Sequence, residues 1–338
     1  MEINVLSFCD GMSGAQLALQ RTGIKVKNYF AAEIDKFAIK VTQKNFPNTI
    51  QLGDVTKING KDLPKIDLLI GGSPCQGFSL AGQQQGFKDP RSKLFFEFIR
   101  LKHECNPTYF LLENVKMKKE HENVISTFLN ISPIEINSNL VSAQNRKRNY
   151  WTNIANEPFG LFGEMECIIP IPEDKGIFLK DILEPEVSEK YYLSENMLKY
   201  FENRRSNFNR GLVNIRDANG KASCLTASMC KCDISDNFIQ EKAACLTVAG
   251  NSGGLHSNMT LINHLGKIRR LTPIECERLQ TVPDNYTDCV SDTQRYKMLG
   301  NGFTIDVISH ILSFIPIEED EIYKKLHIKL SQALSWKK

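Results

Sequence analysis

Up to about residue 155 the chain alternates short, continuous apolar runs with stretches whose apolar residues recur at helical spacing. INVLSF precedes a helical pattern at 13 to 22, VKNYFAAEI one at 35 to 45, IDLLIGG one at 91 to 104, and TYFLLE one at 118 to 129. This alternation predicts an α/β fold with a doubly wound, mostly parallel sheet of the Rossmann-like kind. From about 160 to 265 the rhythm gives way to Pro, Asn, Ser and Gly-rich segments, which predicts a second, smaller and irregular domain. Helical spacing returns at 272 to 280 and 304 to 315, and the last 20 residues are mixed and amphipathic, so the tail is expected to pack back onto the first domain. The expected division is 1–160 plus 297–338 for one domain and 161–296 for the other.

Composition narrows the class. At 338 residues and 41% hydrophobic, the chain has room for one large α/β domain and a smaller appendage. No run approaches the roughly 18 apolar residues of a membrane span, and MEINVLSF has no signal-peptide profile, which predicts a cytoplasmic protein without a membrane partner. The ten cysteines include no CxxC pair, and Cys230 and Cys232 are too close for usual zinc ligation, so no metal is expected. A net charge of +3 neither demands nor excludes nucleic acid. Positive charge gathers locally instead, with Arg204, Arg205, Arg210 and Arg216 in a stretch free of acids, and smaller groups at Arg146 to Arg148 and Lys267 to Arg270. A solvated basic face is the plain alternative for each. KASCLT at 221 to 226 recurs as KAACLT at 242 to 247, an echo that two similar hairpin arms would produce.

In an open α/β sheet ligands sit beyond the carboxyl ends of the strands. Three such ends carry suggestive residues. After the first strand come Cys9, Asp10, Gly11, Met12, Ser13 and Gly14, whose glycines permit a tight turn at a helix start. Glu33 ends the second strand, where an acid accepts hydrogen bonds from ribose hydroxyls. Gly53, Asp54 and Val55 follow, placed to hold a nucleoside base. The trio alone says only that a nucleotide-like cofactor binds, and an NAD dehydrogenase would use it nearly as well. The deciding segment is GGSPCQGFS at 71 to 79, which puts Cys75 after a proline in a polar loop facing the ligand crevice. A lone Cys is more often a buried small hydrophobe, but that setting is wrong for one. TYFLLENV then delivers Glu113 from another strand end into the same region.

With these motifs in order, the chain resembles the DNA cytosine-5 methyltransferase family from Val5 to Ile311. SPCQGFS with DPRSKLFFEFIR resembles the catalytic loop and its helix, LLENV supplies the family's glutamate, and QNRKRNYW at 144 to 151 matches its QxRxR element. RRLTPIECERLQTVPDNY at 269 to 286 resembles the motif closing the recognition domain, and LGNGFTIDV at 299 to 307 the last cofactor motif. The first motif, SFCDGMSG, is closer to animal de novo and phage members, with Cys9 where an aromatic commonly touches the adenine and Ile34 where Trp is frequent. The recognition domain has Cys245-Leu246 in place of a Thr-Leu element.

The resemblance implies a class I fold and methyl transfer from S-adenosylmethionine, leaving S-adenosylhomocysteine, to a cytosine flipped out of double-stranded DNA. It implies Cys75 as nucleophile, with Pro74, Glu113, Gln144, Arg146 and Arg148 around the base. The cofactor would meet Cys9 to Gly14, Glu33, Ile34, Asp54, Val55, Pro74, Leu94, Asn301, Gly302 and Phe303. DNA would meet Gln76, Ser79, Arg204, Arg205, Arg210, Arg216, Ser228 and Asn251. The expected protein is a monomer of prokaryotic or phage origin that modifies DNA, in restriction-modification or self-protection. A tRNA cytosine methyltransferase would usually carry a Cys-Phe-Thr signature in its second domain, and none occurs. A catalytically dead DNA-binding homologue would not need Pro74, Cys75, Glu113, Arg146 and Arg148 intact.

Overall fold

The computed structural model describes residues 2–73, 94–159, 164–196, 215–216, 218–225, 227, 238–240 and 268–316. Over them the chain forms two compact units. One comprises Met1–Ile136, Lys147–Pro172 and Ile305–Lys338, and the other Asn137–Arg146 and Glu173–Thr304.

The first unit is built on β1 (Glu2–Phe8), α1 (Gly14–Thr22), β2 (Lys25–Ala32), α2 (Lys36–Asn45), β3 (Ile50–Gln51), β4 (Leu68–Gly72), α3 (Leu94–Cys105), β5 (Tyr109–Val115), α4 (Lys119–Leu129) and β6 (Ile134–Asn137). After β7 (Gln144–Asn145), β8 (Lys147–Thr152) completes a seven-stranded sheet in the order β3-β2-β1-β4-β5-β8-β6. β1 pairs parallel with both β2 and β4, so the order reverses around β1, as the doubly wound expectation requires. Its central strands are apolar without alternation because both faces are covered: Val5, Leu6, Leu68, Leu69, Ile70 and Leu112 are all buried. β8 runs antiparallel to β5. A short pair, β9 (Asn156–Phe159) and β10 (Glu164–Cys167), follows.

The sheet's registers align the carboxyl ends. Phe8 lies beside Ala32 and Gly71, and Gly72 beside Glu113. Gly71 is required there, since a β-carbon would stand 2.2 Å from the Phe8 carbonyl oxygen.

Among its described residues the second unit carries short strands and two helices. It holds β11 (Ile215–Arg216), β12 (Ala222–Ser223), β13 (Phe238–Gln240), β14 (Ile268–Arg270), α5 (Pro273–Leu279) and α6 (Asp292–Asn301). The first KAxCLT copy is not a hairpin arm: β12 pairs parallel with β7, far away in sequence, and the second copy lies outside the described residues. α5 starts where the sequence says it should. Thr272 caps it, Glu275 returns to the Thr272 amide at 2.8 Å, and Pro273 occupies the first turn. Glu275 also receives a two-pronged bond from Arg269, at 2.8 Å on each oxygen. Glu277 takes Arg295 at 2.9 Å and the Asn285 and Thr287 amides. Both glutamates are 0% exposed, so these bonds replace all the water they lose. Finally α7 (Ile305–Leu312) returns to the first unit and packs on α1, where Arg21 pairs with Asp306.

Candidate active site

The loop after β1 has an uncommon backbone. Cys9, Gly11 and Ser13 have φ of 52°, 60° and 60°, a region costly for Cys and Ser, so other contacts must hold it. Asp10 supplies them. It is 7% exposed; its Oδ1 accepts from the Tyr29 hydroxyl at 2.7 Å and its Oδ2 from the Ser13 hydroxyl at 2.5 Å. Burial pushes its carboxyl up to about 6, aided by nearby Glu33 and opposed by hydrogen bonds from Ser13, Ser7 and Tyr29. Met12 is buried and Gly14 opens α1. Among the described residues, a β-carbon on Gly11 would meet nothing within 4 Å, which leaves space beside the loop for a ligand.

Glu33 follows β2 and ties down this loop. Its Oε2 accepts from the Gly11 amide at 2.7 Å, and its Oε1 from the Ile34 and Asp35 amides at 2.8 Å each. A carboxylate offers about four acceptor directions, and among the described residues these bonds fill three, leaving one on Oε2 for a further donor. Ile34 beside it is 75% exposed. Asp54 follows the two-residue β3, and its Oδ1 accepts from the Thr56 amide at 3.0 Å and hydroxyl at 2.8 Å. Those bonds, the backbone one first, hold its carboxyl below the usual range, while Val55 is buried at the start of a single 3-10 turn. Burial, then Glu33, Asp10 and Asp54 in that order, push the Cys9 thiol to about 12 and keep it neutral. Among the described residues no Lys or Arg forms an ion pair with Asp10, Glu33 or Asp54. Such a set of acceptors, with an open glycine, suits an adenosyl group carrying hydroxyls, an amine and positive charge.

Glu113 lies near the carboxyl end of β5, at the same edge. The β5 to β8 register sets it opposite Tyr150 and brings Arg148 within 3.0 Å, Nε to Oε1; the two side chains are 12% and 13% exposed. Next to it, buried Asn114 donates to the Ser73 hydroxyl at 2.8 Å. Ser73 is the last described residue before Pro74 and Cys75, and Leu94 opens α3 beyond them.

Two residues of the QxRxR element lie in the second unit. Gln144 is buried; its Nε2 donates to the Leu279 carbonyl and to Gln280 Oε1, both at 3.0 Å, and its Oε1 accepts from the Leu225 amide at 3.1 Å. Arg146 is buried too, donating to the carbonyls of Leu225, Gly300 and Gly302 at 3.2, 3.2 and 2.9 Å. Asn301 ends α6 exposed, and Gly302 and Phe303 follow half-buried. Arg216 lies on β11. Pro74, Cys75, Gln76, Ser79, Arg204, Arg205, Arg210, Ser228 and Asn251 lie outside the described residues. Sequence reasoning passed over Tyr29 and Asn114. The signal for each was a polar group inside an apolar strand, which needs a partner when buried.

Residues 3–316 match the family model of the C-5 cytosine-specific DNA methylases. The chain belongs to this family. It is a DNA cytosine-5 methyltransferase that uses S-adenosylmethionine as methyl donor. The Type II methyltransferase M1.ScrFI of Lactococcus lactis subsp. cremoris is 34% identical over 312 residues, covering 89% of this chain and 75% of that protein. The Type II methyltransferase M.NlaX of Neisseria lactamica is 29% identical over 326 residues, covering 91% and 94%. The solved structure of the Entamoeba histolytica methyltransferase EhMeth superposes with a TM-score of 0.70 at 21% identity, covering 93% of this methyltransferase and 98% of that one, which shows a shared fold. Among the described residues no helix is long and apolar enough to cross a membrane.

Proposed function

We propose that this methyltransferase acts on cytosine extruded from duplex DNA, with Cys75 as nucleophile and Glu113 and Arg148 as the groups that receive the base. The observation that supports this most is the Glu113–Arg148 pair, nearly buried at the carboxyl edge of the sheet beside the Asn114 to Ser73 contact. From Ser73 the chain runs directly into Pro74 and Cys75.

Carbon 5 of cytosine is too weak a nucleophile to take a methyl group unaided. Addition of the Cys75 sulfur to carbon 6 breaks the ring's 5,6 double bond and moves its electron pair to carbon 5. Glu113, in its protonated form, hydrogen-bonds nitrogen 3 and Arg148 holds the ring carbonyl, so the charge arriving on the ring is met by fixed partners. S-adenosylmethionine supplies the electrophilic methyl group when bound. After transfer, water takes the carbon 5 proton, its electron pair re-forms the 5,6 double bond, and the carbon 6 to sulfur bond breaks with its pair returning to Cys75 as thiolate. Glu33 would hold the ribose and Asp54 the adenine amine, beside the Cys9 to Gly14 loop. Gln144 and Arg146 act as positioning residues, because their polar groups hold backbone of the second unit.

Residues 161–296 are assigned to target recognition, with Arg204, Arg205, Arg210 and Arg216 on phosphates and Ser228 and Asn251 on base edges. The protein is taken as a cytoplasmic monomer that marks DNA for protection, a reading supported by its bacterial Type II relatives.

Duplex DNA carrying 5-fluorocytosine tests the reading, since fluorine cannot leave as the proton does and the adduct is trapped. Expected is a covalent complex at Cys75 that Cys75→Ala abolishes. An adduct that persists in Cys75→Ala, or one formed on tRNA and not on DNA, would overturn it.

A further inference from the structure

We infer that Asp10 selects the cofactor by charge: its buried carboxylate favours the cationic S-adenosylmethionine over the product, S-adenosylhomocysteine, whose sulfur is neutral. The inference rests on the cofactor reading above and concerns how that site tells its two occupants apart.

The two molecules differ by one methyl group and one positive charge on sulfur. A methyl group alone gives a pocket little to discriminate with, roughly 10- to 200-fold at best, and here the larger partner must be the one retained. Charge separates them more directly. Asp10 is the acid of the cofactor loop best suited to that task, because both of its oxygens are already engaged, by Tyr29 from β2 and Ser13 from its own loop. Those bonds fix its place, and its field bears on a ligand beside the loop. Being 7% exposed, it is screened far less than a surface carboxylate.

The titratable groups bearing on Asp10 are Tyr29, of which the hydroxyl donates, and Glu33, which carries the same sign; Cys9 next to it is held neutral. Among the described residues nothing of opposite sign pairs with it. Burial without a cation is a cost, and the carboxyl rises accordingly from its ordinary 3.8 to about 6. Because the folded value lies above the unfolded one, the folded state holds the proton more tightly. The resulting destabilisation grows as pH rises from about 4 to about 6 and is fully present at neutral pH. A site that keeps a destabilising charge where an isosteric amide would fit follows the usual exchange of stability for function.

The test is Asp10→Asn in the full chain, with calorimetric titration of S-adenosylmethionine and S-adenosylhomocysteine at about pH 8 and about pH 5, and urea unfolding without either. Expected is a fall of roughly tenfold in the preference for S-adenosylmethionine, the size of one unit charge acting over several ångström, with product affinity nearly unchanged. The ligand-free variant should be at least as stable as wild type at about pH 8, and wild type near pH 5 should approach the variant's lower preference. Equal loss of both ligands, or an unstable variant with preference intact, would make Asp10 a structural brace and overturn the inference. Tyr29→Phe gives a second readout: losing a donor raises the Asp10 carboxyl further, so the preference should disappear at a higher pH than in wild type. An unmoved midpoint counts against the inference. Wild type that binds neither molecule overturns the cofactor reading itself, and Asp10's role with it.

Discussion

The carboxylates after β1, β2 and β3 and those of α5 are handled in opposite ways. Glu275 and Glu277 are fully buried, and each has an arginine with good geometry plus backbone amides. Asp10, Glu33 and Asp54 have hydroxyls and amides but, among the described residues, no ion pair with a Lys or Arg. A buried acid with its cation in place is finished as a piece of architecture. Acids grouped around an open glycine with no cation have electrostatic capacity left over, and a positively charged ligand can use it. The same residue type therefore means scaffold in one region and recognition in the other, and the difference lies in the partner.

Substitutions should separate the two kinds. The largest effect belongs to Glu113, which has an arginine partner yet sits at the ligand edge: Glu113→Gln should lower turnover by about 100- to 10,000-fold with DNA binding retained. Single-turnover kinetics within threefold of wild type would remove it from the chemistry. Glu275→Ala strands the buried Arg269 and should cost about 3–5 kcal/mol in urea unfolding. A loss under about 1 kcal/mol would show that the pair contributes nothing net. Glu33→Gln should weaken S-adenosylmethionine binding on the order of tenfold while leaving more stability than Glu275→Ala does, because hydrogen bonds to a charged acceptor contribute about 1.5–3 kcal/mol. Unchanged calorimetric affinity would place the ribose elsewhere. At the bottom of the scale, Arg21→Ala breaks a part-exposed pair with Asp306 and should change stability by about 0–1 kcal/mol.

Much of the first unit was legible because its strands are long apolar runs: β1, β4 and β5 fall on INVLSF, IDLLIGG and TYFLLE, and α1 to α4 begin within three residues of their predicted starts. β3 was legible only as the strand end before Gly53, since two residues make no apolar pattern of their own. Glu33 and Asp54 could be picked out from their distance after a strand, but the Tyr29 to Asp10 bond spans 19 residues and leaves no local trace. Arg146 and Arg148 look equivalent in sequence, two apart and so on one face of a continuous strand. The strand is not continuous there. β7 ends at Asn145 and β8 begins at Lys147, and the guanidinium between them serves carbonyls of the second unit while Arg148 meets Glu113. Glu275 and Glu277 were the least legible, because glutamate is so rarely buried that no pattern in ECERLQ announces it.

The pairing of α1 with α7 has a consequence for biosynthesis. Arg21 and Asp306 are 285 residues apart, so the helix that covers α1 is among the last described segments to leave the ribosome. At about 5–20 residues per second, the apolar side of α1 waits roughly 15 to 60 seconds for its cover. The whole second unit is translated during that wait. Nascent chains stalled before residue 305 should therefore be captured by chaperones that hold exposed apolar helices, and chains released past residue 316 should not.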